Sequence, residues 1–139
     1  MRRLSFLLLL ALAIGAAEAR DIVLVALNPE TPAIALRRED IADIFLGRQR
    51  ILSGGLSLVP IDTSDEALRE SFYQGVAGMS SNRVRAYWAR LVFSSQGRPP
   101  RELASDAAIQ TLLHDPGTVI YTFDDRMPAQ GKILLRIER

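Results

Sequence analysis

The chain has no cysteine, one histidine and one tryptophan in 139 residues. Without cysteine it forms no disulfide and carries no lipid anchor attached through a thiol. His114 is the only imidazole, so any Ser-His-Asp arrangement must recruit that residue. No G-x-S-x-G elbow, H-E-x-x-H pair or P-loop is present. His114 falls in the last turn of an expected helix, where a cation suits the dipole. The acids are scattered without the spacing of an acid–base pair or of a calcium loop. These absences point to a chain that is not an enzyme and holds no cofactor or metal. Charge of one sign is lacking too. Once Arg2, Arg3 and Glu18 are set aside, the 17 basic and 16 acidic residues leave 15 of each. That balance gives no electrostatic footprint for nucleic acid and none for a polybasic membrane contact. After residue 19 no apolar run reaches the ~20 residues of a membrane span.

What is present begins with a leader. Arg2 and Arg3 precede an apolar run from Leu4 to about Ala17, and Ala17-Glu18-Ala19 offers small residues at a cut. This is the pattern of a secretory signal peptide over residues 1–19. Residues 20–139 then form one periplasmic domain, large enough for a core without staples.

"DIVLVALN" reads as a buried strand, and "PETP" as a turn. Helical spacing from Arg38 to Leu46 ends where Gly47 suits a left-handed residue. "LSLVPI" is a second strand. A helix follows with Leu68, Phe72 and Val76 on one face, closing near Gly78. Ser80 or Ser81 caps the next, whose Val84, Tyr87, Trp88, Leu91 and Val92 form an apolar stripe. "SSQGRPP" breaks it. Ser105 caps a further helix, with Ala108, Ile109, Leu112 and Leu113 inward. "TVIYTF" and "KILLRIE" are closing strands. Alternating strands and helices predict an α/β fold on a small mixed sheet flanked by helices. In such sheets ligands sit at the carboxyl ends of strands, against helix N-termini.

"IADIFLGR", "LVPID", "SFYQGVAGMS", "VRAYWARLVFSSQGRPP" and "PGTVIYTF" follow one another in order. Together they resemble the phosphate-binding proteins of ABC importers, and more closely short secreted relatives with the periplasmic-binding-protein type II fold. The resemblance runs from about Ile22 to Phe123. It implies essentially one lobe of that fold and recognition of a small oxyanion such as phosphate. The site itself departs from that pattern. Where long phosphate binders carry an arginine and a Ser-Gly-Thr turn after this strand, the chain has Ile61-Asp62-Thr63-Ser64-Asp65-Glu66-Ala67. The arginine position is filled by Ile61 or Asp62. Ile120 replaces a usual glycine, and "NPETP" leads almost at once into the "IFLG" helix.

Two readings follow. In the first, Thr63 and Ser64 donate hydroxyl and N–H hydrogen bonds to a phosphate-like anion, with Asn28 and Thr31 facing them from the end of the first strand. The helix dipole favours this. Against it, Asp62, Asp65 and Glu66 crowd the same helix start. Two unit charges about 4 Å apart repel by roughly 4 kcal/mol near a surface. A millimolar ligand binds with only about 4 kcal/mol in total. A single open lobe also leaves an anion hydrated. In the second reading the pocket has decayed, and the chain docks as a module onto a periplasmic sensor or transporter component. Arg83 and Arg90, two turns apart on one helix face, are then the partner face. Tyr87 and Trp88 read as core packing.

Overall fold

The computed structural model describes residues 20–27, 36–51 and 57–139. The expected signal peptide lies outside these residues, as do Asn28 and Thr31. Ten elements follow in order: β1 (Ile22–Ala26), α1 (Arg38–Phe45), β2 (Val59–Thr63), α2 (Glu66–Ala77), α3 (Ser81–Phe93), β3 (Arg101–Leu103), α4 (Ser105–His114), β4 (Thr118–Phe123), a 3-10 turn (Asp124–Arg126) and β5 (Lys132–Ile137). The strands form one mixed sheet in the order β3-β2-β4-β1-β5. β2 runs parallel to β3 and β4, whereas β1 runs antiparallel to β4 and β5.

β1 is five apolar residues, all buried, because both faces of the sheet are covered. Ile22, Leu24 and Ala26 share the larger core with α1, α2 and α3. Val23 and Val25 turn to the smaller one, with Ile61, Ile120 and the α4 residues Ala108 and Leu112. Period-2 alternation divides one apolar strand between two cores. The larger core centres on rings: Phe72 lies parallel to Tyr121 with centroids 3.7 Å apart and meets Phe45 edge-on at 4.9 Å.

Helix ends follow their local chemistry. Ser80 caps α3, its Oγ accepting the Arg83 N–H at 3.2 Å. Gly78 ends α2 in the left-handed region at φ +62°. Its N–H bonds the Gln74 carbonyl at 3.1 Å, and the Met79 N–H bonds that of Tyr73 at 3.3 Å, closing the last turn. Gly47 takes φ +70° after α1, and a Cβ there would stand 2.9 Å from Trp88 Cη2. Gly47→Ala is expected to cost about 1–2 kcal/mol from the left-handed backbone alone, and more as the indole shifts. Urea unfolding with Trp88 emission measures both effects, and an unchanged midpoint and spectrum would refute them.

Three expectations need correction. α4 is capped at Ala104 without a side-chain bond; Ser105 is its first helical residue, with Oγ 3.4 Å from Thr63 Oγ1. Val92 and Leu113 are 51% and 38% exposed; each sits in the closing turn of its helix. β3 had no counterpart in the sequence reading, since three residues are too few to show a period. Among the described residues no helix is long and apolar enough to cross a membrane.

Candidate functional site

Because β2, β3 and β4 are parallel, their carboxyl ends share one edge of the sheet, where α2 and α4 also begin. Thr63 and Ser64 stand there as expected, adjacent in the chain. Their backbone donors are already in use. The Thr63 N–H bonds Asp62 Oδ1 at 2.8 Å and the Ser64 N–H bonds the Leu103 carbonyl at 2.9 Å. The Asp65 N–H bonds Thr63 Oγ1 at 3.1 Å. Three consecutive N–H groups that could have cradled an anion thus end on the chain itself. Thr63 is buried and Ser64 exposed. Asp65 then caps α2, accepting the Leu68 N–H at 3.2 Å. On α4, Asp106 in the first turn pairs with Arg126 at 2.9 Å.

Asp62 does not crowd the helix start, as the sequence suggested, but points inward and is 3% exposed. Oδ2 accepts the Tyr73 hydroxyl at 2.9 Å and faces Arg69 Nε at 3.5 Å. Oδ1 accepts the Tyr121 hydroxyl as well as the Thr63 N–H. Burial first, and the neighbouring Asp62 carboxylate second, push the hydroxyls of Tyr73 and Tyr121 well above the ordinary tyrosine range. Burial works against the charge on Arg69, but Asp62 reverses the effect and leaves its pKa raised. The Asp62 carboxylate, with two phenols and a backbone N–H donating to it, is satisfied within the fold. Arg69 Nε makes no hydrogen bond; the pair is held by charge.

β1 ends at the other edge. Ala26 pairs with Val119, and Val119 with Pro60 at the start of β2. The expected apposition of Asn28 and Thr31 to Thr63 and Ser64 concerns residues outside those described.

Arg83 and Arg90 are exposed on α3 and line one hollow with Arg48, Met79, Ala86 and Tyr87. The guanidinium carbons of Arg48 and Arg90 lie 5.7 Å and 6.0 Å from the Tyr87 ring centre, within cation–π range. The Tyr87 hydroxyl is tied to the Leu46 carbonyl at 2.7 Å. Arg48 pairs loosely with Asp43 at 3.5 Å; Arg83 and Arg90 have no acidic partner among the described residues. Arg85, on another side of α3, pairs with Glu66. No group of three or more His, Cys, Asp or Glu suited to a metal occurs among the described residues.

This architecture is about one lobe of a periplasmic-binding-protein fold. It superposes on a crystal structure from Clostridium perfringens described as a phosphate ABC transporter substrate-binding protein with bound phosphate, with a TM-score of 0.60 and 13% identity. The match covers 83% of this chain and 45% of that one, so the chain spans less than half the neighbour's length. No protein-family model and no curated protein matches the chain.

Proposed function

We propose that the chain is an exported, non-enzymatic binding module in which the strand-end anion site is closed and recognition has moved to the arginine face of α3. It works in the periplasm after removal of residues 1–19, docking an acidic surface of a sensor or transporter component. The observation that carries this reading is the exhaustion of backbone N–H donors at Thr63, Ser64 and Asp65. A phosphate arriving there would have to displace internal bonds beside Asp65, and removing a buried partner costs about 1–3 kcal/mol. At Arg83 and Arg90 no such displacement is needed. Fork-shaped guanidiniums suit carboxylates, and Tyr87 anchors the hollow between them.

A second reading keeps phosphate as the ligand at the β2–β3 edge. The Thr63 and Ser105 hydroxyls, 3.4 Å apart beside the α4 start, favour it, as does the phosphate bound by the neighbour. Calorimetry separates the two. We expect no heat of binding with phosphate or sulfate up to about 1 mM, the range of ~4 kcal/mol interactions. In cells, photo-crosslinking from position 86 should capture one partner, lost in Arg83→Glu/Arg90→Glu and kept in Thr63→Ala/Ser64→Ala. Micromolar phosphate binding abolished by Thr63→Ala would reverse the choice.

A further inference from the structure

On the amino-terminal side of β2 and β3, opposite the edge just described, lies a cleft of about 390 Å3. Its walls are apolar, built from Leu58, Pro99, Pro100 and Trp88. Arg50, Arg98 and Arg101 stand around it, and no acidic residue among those described lines it. All three arginines are exposed. Arg20, Arg37, Arg48, Arg69, Arg85, Arg126 and Arg136 each face an acid. The three cleft arginines, like Arg38, Arg83 and Arg90, face none among the described residues. Trp88, 6% exposed, forms part of the wall.

We infer that this cleft is a binding site for a small organic anion, one carrying a carboxylate or a phosphate monoester on a flat apolar body. The volume lies within the roughly 300–1,000 Å3 of small-molecule sites, which combine apolar walls with a few polar groups. Inorganic phosphate is too small to cover the prolines and the indole, so it leaves that surface wet. A neutral ring covers the walls but leaves the three guanidiniums with water. Only a ligand with both parts uses both features. Charge steers it in, and forked donors orient its anionic end. The inference does not depend on the partner face of α3, which presents different arginines.

Trp88 is the only tryptophan in the chain, so its emission reports on the cleft directly. The purified protein is titrated with phenyl phosphate, benzoate, benzyl alcohol and inorganic phosphate at constant ionic strength, with calorimetry in parallel for ligands that leave the emission unchanged. We expect saturable binding of phenyl phosphate or benzoate, whichever is stronger identifying the anionic group. Benzyl alcohol and inorganic phosphate should each be at least about tenfold weaker, a step of 1.4 kcal/mol. Arg98→Ala/Arg101→Ala should weaken the anion by at least about tenfold, and Arg83→Ala/Arg90→Ala should leave it unchanged. None of these arginines makes an ion pair among the described residues, and circular dichroism checks that both variants keep the fold. No saturable signal by either method up to about 10 mM overturns the inference. So does equal affinity for benzyl alcohol, or an equal loss in the two arginine variants, which would reduce the effect to diffuse charge.

Discussion

Asp62→Ala is expected to lower stability by about 3–5 kcal/mol, the range for breaking a buried ion pair by removing one partner. Tyr73 and Tyr121 would lose their hydroxyl acceptor, and Arg69 would keep a charge in a site 6% exposed. Domains of this size are held by about 5–15 kcal/mol in total, so the variant should be close to unfolding at ambient temperature. Asp62→Leu/Arg69→Leu should cost clearly less than the sum of its parts, because it removes both charges together. Urea titration followed by circular dichroism measures all four corners of that cycle. A loss below about 1 kcal/mol for Asp62→Ala, the scale of an exposed pair, would mean that the carboxylate is hydrated. The strand-end edge would then be open, and the phosphate reading would regain its footing.

The same group makes the protein sensitive to alkali. Tyr73 and Tyr121 both have raised pKa values in the fold, through burial and then through Asp62. An unfolded tyrosine ionises near pH 10. Below that value both states hold the proton, and the tyrosines' contribution is fully present. Above it the unfolded chain releases protons that the folded one retains, so stability falls as pH rises. Each tyrosine contributes a slope of about 1.4 kcal/mol per pH unit, together about 2.7. Tyr73→Phe should remove half of that slope. It should also cost about 1.5–3 kcal/mol at neutral pH, since Asp62 loses a donor. Unfolding free energies measured at successive pH values above 10 test this, and a flat profile there would show both phenols to be solvated.

The legible parts of the sequence were those encoded locally. Gly47, Gly78 and Ser80 mark helix ends because a left-handed residue or a capping hydroxyl acts within one turn. The apolar runs at 22–26 and 118–123 announce strands covered on both faces. What was not legible depends on distance in the chain. Asp62 read as part of an acidic helix start, yet its acceptor role is set by Tyr73 and Tyr121, 11 and 59 residues away. One signal was there: Tyr73 adjoins Phe72 on the buried face of α2, and a buried phenol needs a partner. The direction of β1, which separates its end from Thr63, follows from its pairing with β4 and β5 and leaves no trace in β1 itself. Likewise β3 exists only through its ladder to β2. The cleft arginines come from two separate stretches, and only the fold brings Arg50 to Arg98 and Arg101.

The position of β1 between β4 and β5 bears on how the molecule is made. A chain delivered amino end first releases Ile22–Ala26 long before either partner strand exists. Until Thr118–Phe123 and then Lys132–Ile137 emerge, five apolar residues have open backbone groups on both sides. Such a segment pairs readily with its counterpart on another chain. Early domes of structure around α2 and α3 give it no shelter, since its ladders are wholly non-local, and folding of that kind is slow. The five residues of the first strand have partners on both sides only once the six of the last strand are in place.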